Sequence, residues 1–343
     1  MKVYVKTFGC LLNKRDSENI KGVLKDRGFE LSSENDADII IVNSCGVKLT
    51  TQSKIVSYIK SFDRDVYVGG CLPRMVDMTQ LVNVKGYFDT NSILKIADQI
   101  LEERYENFSD TNEERIGKTL VRNDKDILIV PISQGCLGNC NYCGTKIARG
   151  KLHSYQIKEI ISEIRNHSFK KLYLTSQDNG CYGFDIGTNI VSLLREVVNV
   201  DKDFIVRVGM MNPEHVLIFL DDLIDILKNG KVMKFIHIPI QSGSDKVLKE
   251  MGRKYNVEDF KKIVSKFREE IPDIHVATDV IVGYPTETEE DFNKTIELLD
   301  WLKPEVLNVS KFTPRPGTVA SKLNPIYSKE IKRRSRMIFF KKY

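Results

Sequence analysis

The chain has 343 residues and a formal net charge of +5, with 41% apolar and 29% charged residues. This composition is typical of a globular protein, and the length predicts two domains. No apolar stretch approaches the ~20 residues that span a bilayer, and no signal peptide opens the sequence. These features argue against a membrane or secreted protein, and we expect a cytoplasmic one.

The first hundred residues alternate between strand-like and helix-like segments. This alternation predicts a parallel sheet with helices on both faces, a three-layer domain over residues 1–106. The polar stretch 107–123 predicts a linker. The predicted strands are 3–8, 37–43 and 66–68, and the predicted helices are 16–27, 51–61 and 92–105.

One cysteine follows each of these three predicted strands: Cys10, Cys45 and Cys71. Because parallel strands end at the same edge of a sheet, we expect their sulfur atoms to meet there. Each cysteine stands next to a glycine, where the backbone can approach a ligand closely. Three buried apolar cysteines are the alternative. We favour three thiolates that hold an iron–sulfur cluster with one iron left open.

Residues 124–343 repeat a strand followed by a helix six times, which predicts a second domain. Six such units form an incomplete version of the eight-unit barrel. We therefore expect a partial (β/α)6 barrel with its site at the carboxyl ends of the strands. The predicted strands are 127–133, 171–176, 204–209, 234–241, 274–282 and 305–311, and the predicted helices are 156–167, 190–198, 213–228, 257–270 and 289–302.

Three cysteines follow the first predicted barrel strand: Cys136, Cys140 and Cys143. A cluster of four irons normally takes four cysteines, so three leave one iron open for a substrate. Cys-x3-Cys-x2-Cys with an aromatic residue before the last cysteine is the radical S-adenosylmethionine (SAM) signature. The alternative is a zinc site with His153 as the fourth ligand. Zinc motifs usually contain a second, distant pair of ligands, and the sequence has none after Cys143.

Several predicted barrel strands end in polar residues, which the ammonium, carboxylate, ribose and adenine of SAM would need as partners. Some polar residues instead cap helices, and Ser244 and Thr288 are typical N-caps. We interpret His215, His237 and Cys181 as structural residues. The residues that we expect to contact SAM are Tyr142, Ser176, Gln177, Arg207, Gln241 and Asp279.

The last fifteen residues are rich in lysine and arginine. Such a basic helix end is either a solvated face or a phosphate contact, and the sequence leaves both open. The residues are Lys329, Lys332, Arg333, Arg334, Arg336, Lys341 and Lys342.

The residues around the cysteines resemble the radical SAM methylthiotransferase family. Three amino-terminal segments are similar to the family's signatures: Thr7–Cys10 with Asn13 and Asp16–Glu18, Val42–Cys45 with Val47 and Lys48, and Gly69–Pro73. Five later segments resemble the archaeal and eukaryotic branch: Cys140–Gly150 with Leu152, Ser154 and Tyr155, Leu174–Gly180 with Tyr182 and Gly183, Asp185–Asn189, Asp279–Glu287, and Pro314–Thr318. That branch acts on N6-threonylcarbamoyladenosine (t6A) at position 37 of tRNA.

The resemblance implies two 4Fe-4S clusters, an auxiliary cluster on Cys10, Cys45 and Cys71 and a radical SAM cluster on the other triplet. It also implies that t6A becomes 2-methylthio-t6A in tRNAs that read codons beginning with A. One SAM would supply a methyl group and another a radical that activates C2 of the adenine. The implied partners are the tRNA anticodon stem-loop, an electron donor and a sulfur source, with no membrane.

The same chemistry could act on two alternative substrates, isopentenyladenosine-37 of tRNA and an aspartate of a ribosomal protein. A non-enzymatic iron–sulfur protein that binds RNA or transfers electrons is the alternative of another class. The chain departs from the family in one respect, because it ends at Tyr343. Family members usually continue into a β-rich RNA-binding module called TRAM, which we expect to be absent here. Either the sequence is truncated or the protein binds tRNA without that module.

Overall fold

A computed structural model describes residues 1–46, 49–77, 81 and 83–341, except for the side chains of residues 49–51. The described residues do not include Val47 and Lys48 of the second sequence motif. They also do not include Lys342 and Tyr343 at the basic carboxyl terminus. The chain forms two compact units. The first contains Met1–Cys136 and Gly144–Ser176, and the second contains Leu137–Cys143 and Gln177–Tyr343. The domain boundaries at 106 and 124 stay a prediction.

A six-stranded sheet begins the first unit, and its pairs are parallel in the order β2-β1-β3-β4-β5-β6. The strands are β1 Lys2–Thr7, β2 Glu30–Leu31, β3 Ile39–Ser44, β4 Asp65–Gly70, β5 Val84–Phe88 and β6 Glu106–Asn107. The three strands that precede the cysteines, β1, β3 and β4, are neighbours. The helices around this sheet are α1 Leu11–Asp26, α2 Leu49–Lys60 and α3 Ile96–Leu101.

The sheet is buried on both faces, because alternate residues of its strands enter two separate cores. Ile39 and Ile41 of β3 pack with Ile20 of α1. Ile40 of the same strand packs with Ile55 of α2. Since side chains alternate between the faces of a strand, helices cover both sides of the sheet. The predicted three-layer α/β fold is confirmed.

The structure differs from the predicted elements at three places in this region. Helix α1 begins at Leu11, and its first turns carry buried polar side chains that hide the apolar pattern of a helix. The predicted helix 92–105 is shorter, with a 3-10 turn at Ile93–Lys95 before α3. Strands β2, β5 and β6 were not predicted. Two of them, β2 and β6, have only two residues each, which is too short for a pattern.

The first unit continues with a second parallel pair and a short antiparallel pair. Strands β7 and β10 pair in parallel, and β8 pairs with β9 in the antiparallel sense. A capping box formed by Gln156 and Glu159 begins helix α5. The elements are β7 Ile127–Pro131, β8 Ser133–Gln134, α4 Thr145–Arg149, β9 His153–Ser154, α5 Ile157–Asn166 and β10 Lys171–Thr175.

The second unit contains the other four predicted barrel strands, three of which form a parallel sheet in the order β12-β13-β14. Its helices and strands are α6 Ile190–Val198, β11 Ile205–Val208, α7 Pro213–Val216, α8 Leu220–Leu227, β12 Phe235–His237, α9 Asp245–Glu250, α10 Val257–Glu270, β13 His275–Val282, α11 Glu289–Leu302, β14 Val306–Lys311 and α12 Ser328–Phe340. None of the described helices is long and apolar enough to cross a membrane.

Of the two predicted N-cap residues, Ser244 and Thr288, the structure confirms one. Thr288 caps α11 as predicted, since its side chain accepts a hydrogen bond from Asp291 N. Ser244 precedes α9 but makes no such bond, and its hydroxyl instead donates to Asp291 Oδ1 at 2.7 Å. The predicted helix 213–228 is two helices separated by a 3-10 turn. The predicted strand 234–241 is only β12, because Pro239 has no N–H to donate to a neighbouring strand.

A buried ion pair within the first unit supplies a stability prediction. Arg15 Nη2 lies 2.7 Å from Glu163 Oε1, and both side chains are at most 1% exposed. Glu163→Ala leaves the guanidinium buried without its carboxylate, so we expect the free energy of unfolding to fall by about 3–5 kcal/mol. Asp126→Ala removes an exposed pair with Lys170 from the same unit and should cost less than about 1 kcal/mol. Urea titrations followed by circular dichroism compare the two, and equal losses would contradict the prediction.

Candidate functional site

The amino-terminal cysteines follow three neighbouring parallel strands. Cys10 precedes α1 as its N-cap residue, Cys45 comes directly after β3, and Cys71 directly after β4. The loops are close-packed: a Cβ atom added to Gly9 would lie 3.0 Å from Cys45 Cβ. Cys71 N donates to Ser44 O at 3.0 Å, which joins two of the loops. The structure therefore brings the three residues to one edge of the sheet, as predicted from their positions.

The electrostatics of this edge suit thiolates bound to a cationic centre. The pKa of the Cys71 thiol is raised to about 11, chiefly by burial and also by the sulfurs of Cys10 and Cys45, although Arg149 acts to lower it. Three adjacent thiolates repel one another unless positive charge lies between them. The positive end of the α1 dipole also begins at Cys10. Soft thiolate ligands select iron–sulfur clusters, so this donor set fits the auxiliary cluster.

A network of buried charges lies beneath this triplet. Arg149 donates from Nε to Cys71 Sγ at 3.3 Å, and from Nη2 to Asn13 Oδ1 and Asp16 Oδ2 at 3.0 and 2.7 Å. Arg115 donates from Nη1 to the other Asp16 oxygen at 2.6 Å. Burial works against the charge of Arg149, but the sulfur of Cys71 and the Asp16 carboxylate raise its pKa above the usual range. Arg149 therefore stays a cation.

The second cysteine triplet follows β8, with Cys136 ending a segment of the first unit and Cys140 and Cys143 in the second unit. Asn141 holds the loop in the second unit: its N donates to Met251 O at 2.9 Å and its Nδ2 to Glu250 O at 2.7 Å. This anchoring fixes the backbone between the last two cysteines. The spacing and the sulfur donors fit the radical SAM cluster.

Arg253 is a half-buried hydrogen-bond donor to this second triplet. Its Nη1 lies 3.1 Å from Cys140 Sγ, its Nη2 donates to Asn212 Oδ1 at 2.5 Å, and its Nε donates to the Tyr255 hydroxyl at 2.9 Å. In each triplet an arginine thus donates to a sulfur atom. Hydrogen bonds to ligating sulfurs are among the features that set the reduction potential of such clusters.

Three of the residues predicted to contact SAM lie in positions that favour a ligand. Ser176 Oγ and Gln177 Oε1 are buried and have no hydrogen-bond partner among the described residues. Buried polar atoms rarely lack partners unless a ligand or water supplies them. Gln241 has a φ of +70°, a strained conformation for a residue other than glycine. These features agree with the chemistry of a SAM site, although the contacts themselves stay a prediction.

The other three predicted SAM residues are held by protein contacts. Asp279 accepts from His237 Nε2 at 2.9 Å and from Asn308 Nδ2 at 2.8 Å. The guanidinium of Arg207 lies 4.4 Å from the centre of the Phe235 ring. Tyr142 packs against the apolar cluster that contains Met251, Tyr284 and Phe312. His237, interpreted as a structural residue, contacts the Asp279 carboxylate and orients it.

A compact group formed by Asp178, Cys181 and His215 was not predicted as a site. Their ligand atoms lie within 4.8 Å of one another, and all three residues are buried. Direct hydrogen bonds account for this proximity: His215 Nδ1 lies 2.8 Å from Asp178 Oδ2, and Cys181 Sγ donates to Asp178 O at 3.3 Å. Asp178 Oδ1 also accepts from Asn212 N at 3.0 Å. The group therefore supports the loop that carries Asn212.

Two further sequence interpretations concern charged residues. His153, the alternative zinc ligand, lies 3.2 Å from Glu114 Oε1. At the basic carboxyl terminus, Arg334 of α12 contacts Glu287 at 2.6 Å, and Lys341 after this helix contacts Asp300 at 2.6 Å. Ion pairs within the protein thus occupy part of the basic face, which favours the structural interpretation for these two residues.

Two arginines that contact cysteine sulfurs were not predicted as site residues. Arg149 belongs to a segment that resembles the family, and this resemblance is the feature of the sequence that could have marked it as a site residue. Arg253 lies 113 residues from Cys140 in the chain, and no local pattern marks it.

Two family models match this sequence. The model of the Radical SAM superfamily covers residues 130–299, which include the second cysteine triplet. This match favours the iron–sulfur interpretation of that triplet over zinc. The model "Uncharacterized protein family UPF0004" covers residues 2–90, which include the first triplet.

A solved structure with a similar fold is the radical SAM methyltransferase TsrM from Kitasatospora setae. It has a TM-score of 0.65 and 15% identity, and the match covers 93% of this chain and 77% of TsrM. At this identity the likeness shows the fold alone. It agrees with the predicted α/β architecture that ends in a partial radical SAM barrel.

Curated relatives match along almost the entire chain. The "probable threonylcarbamoyladenosine tRNA methylthiotransferase" of Methanocaldococcus jannaschii is 42% identical, over 98% of this chain and 82% of the relative. The protein of that name from Pyrococcus horikoshii is 39% identical, over 98% of this chain and 83% of the relative. Identity at this level over such a length establishes common family membership. The chain belongs to the threonylcarbamoyladenosine tRNA methylthiotransferase family.

Proposed function

We propose that the chain is a radical SAM tRNA methylthiotransferase that converts t6A at position 37 to 2-methylthio-t6A, in tRNAs that read codons beginning with A. The observation that carries this proposal is the presence of two cysteine triplets, one in each family-model match. An ordinary radical SAM enzyme needs only one. Insertion of a methylthio group needs a radical source and a separate place that holds sulfur.

The cysteines divide between two clusters. Cys136, Cys140 and Cys143 would hold the radical SAM cluster, and Cys10, Cys45 and Cys71 the auxiliary cluster. When bound, the clusters and SAM supply the radical and sulfur chemistry, because C2–H of adenine is inert to acids and bases of ordinary side chains.

The protein's own side chains would position SAM. We assign this role to Tyr142, Ser176, Gln177, Arg207, Gln241 and Asp279. The support for Ser176 and Gln177 is their unpartnered buried oxygens within the described residues. The support for Asp279 is the pair of hydrogen bonds that fixes its carboxylate, which suits an ammonium group or ribose hydroxyls.

Three partners follow from the proposed reaction. The substrate is the anticodon stem-loop of a tRNA that carries t6A. Reductive cleavage of SAM needs an electron donor, and the product gains a sulfur atom that a sulfur source must replace. We propose the domain arrangement 1–106 for the sulfur-holding part, 107–123 for the linker and 124–343 for the radical part.

The test is a reaction of the anaerobically reconstituted protein with SAM, dithionite, sulfide and purified tRNA, followed by mass spectrometry of the nucleosides. We expect 2-methylthio-t6A from t6A-containing tRNA and no methylthio product from the same tRNA made without t6A. Isopentenyladenosine-containing tRNA is the matched control for the alternative substrate. Modification of that tRNA, with t6A left unchanged, would overturn the proposed substrate.

A further inference from the structure

Arg253 uses all three nitrogen atoms of its guanidinium for contacts within the second unit. Its Nη1 donates to Cys140 Sγ at 3.1 Å, its Nη2 to Asn212 Oδ1 at 2.5 Å and its Nε to the Tyr255 hydroxyl at 2.9 Å. None of these three acceptors is a carboxylate. Cys140 is the acceptor that becomes an anion when it ligates iron, because the thiolate is the form of cysteine that binds a metal.

Two of these acceptors are themselves held by the fold. Asn212 donates from Nδ2 to Glu214 Oε1 at 3.0 Å, which leaves its Oδ1 for Arg253. The buried Tyr255 hydroxyl donates to Ile240 O at 2.9 Å, so its oxygen accepts from Arg253. A guanidinium is planar and rigid, so two fixed nitrogens also fix the direction of the third. The fold therefore holds Nη1 at the cysteine sulfur.

The backbone beside Arg253 also contacts the cysteine loop. Gly252 has a φ of +75°, and a Cβ atom added there would lie 3.1 Å from Asn139 O. Asn141 N donates to Met251 O at 2.9 Å. The arginine and the loop thus share one packed segment of backbone. The contact between Nη1 and the sulfur therefore does not depend on a flexible surface side chain.

A cation that donates to a ligating sulfur acts unequally on the two redox states of an iron–sulfur cluster. Addition of an electron makes the cluster more negative by one charge. Net charge and hydrogen bonds to the sulfurs are among the features that set its reduction potential. A guanidinium attracts the more negative state more strongly, because the interaction energy grows with the product of the charges. The reduced state is therefore favoured.

We propose that Arg253 is a positioning residue that raises the reduction potential of the radical SAM cluster through Cys140. The inference rests on the proposed function and names the residue that allows the electron donor to reduce a larger share of the protein. In this step the donor loses one electron and the cluster gains it, and no bond or proton changes place. Reductive cleavage of SAM depends on this electron.

The test uses the full chain with Cys10, Cys45 and Cys71 replaced by alanine, so that only the radical SAM cluster assembles. The reconstituted protein is titrated with dithionite against the solution potential in the absence of SAM, and electron paramagnetic resonance measures the reduced fraction. We expect Arg253→Met to retain about four irons and to lower the ratio of reduced to oxidised protein about tenfold at a given potential, a shift of ~59 mV for one electron. Arg253→Lys keeps the charge but loses the planar fork, so its shift should be smaller.

Arg268→Met is the matched control, since Arg268 is another half-buried arginine of the second unit. Its Nη1 donates to Leu302 O at 2.7 Å. The control removes the same charge from the unit, and we expect its potential to equal that of the parent. If Arg253→Met fails to assemble its cluster, Asn212→Ala frees Nη2 of the arginine and should lower the potential by a smaller amount.

Two outcomes overturn the inference and leave the proposed function intact. An unchanged potential in Arg253→Met, or in Asn212→Ala where it replaces that variant, removes the proposed role of Arg253. Weaker SAM binding alongside an unchanged potential would assign the arginine to the substrate instead. An equal shift in Arg268→Met attributes the effect to net charge. A parent triple-alanine variant that binds no iron overturns the proposed function, and this inference with it.

Discussion

Cys140→Ala is expected to abolish reductive cleavage of SAM, whereas Cys45→Ala is expected to preserve cleavage and stop methylthiolation of tRNA. The reason is the separation of the two triplets, since each cysteine belongs to a different family-model match. Loss of one of three cluster ligands removes the site that binds SAM in the first case and the site that retains sulfur in the second. Chromatographic quantification of 5′-deoxyadenosine, alongside mass spectrometry of the tRNA, measures both activities.

Cys181→Ser is the matched control for these variants. Cys181 is the seventh cysteine and lies outside both triplets, and its buried thiol donates to Asp178 O. Serine keeps that donor, so both activities should stay at the wild-type level. Loss of SAM cleavage in Cys45→Ala would contradict the division of labour and indicate that the auxiliary cluster supports the radical site.

The meeting of the amino-terminal cysteines was predictable because it depends on a rule of topology. Parallel strands place their carboxyl ends at one edge, and the strands before Cys10, Cys45 and Cys71 are neighbours in the sheet. The sequence did not reveal the two-residue strands β2 and β6, which lie at the ends of the sheet order and contain too few residues for a periodic pattern.

The arginines were not predictable as parts of the site for a different reason. Arg149 is 78 residues from Cys71 in the chain, and Arg253 is 113 residues from Cys140. Contacts over such separations depend on tertiary packing, which residue spacing does not encode. The polar first turns of α1 show the same limit, since Arg149 and other distant partners compensate part of their burial.

The iron content of the reconstituted protein gives a second prediction with a large expected effect. Its measurement does not require tRNA. The reconstituted protein should bind about eight irons and eight sulfides per chain, the content of two four-iron clusters. Replacement of Cys136, Cys140 and Cys143 by alanine should lower both to about four, and so should replacement of Cys10, Cys45 and Cys71. Colorimetric assays of iron and acid-labile sulfide measure these values.

The two triple variants are each other's control, because each should retain the cluster that the other loses. Four irons in the wild type and none in the Cys136, Cys140 and Cys143 variant would leave a single radical SAM cluster. The amino-terminal cysteines would then be packing residues, as free buried cysteines often are. The contact with Arg149 argues for the larger number: its Nε donates to Cys71 Sγ at 3.3 Å, and this lowers the pKa of the thiol against the burial that raises it. A cation beside the sulfur favours the thiolate, which is the form that ligates a metal, whereas a buried cysteine that only packs needs none.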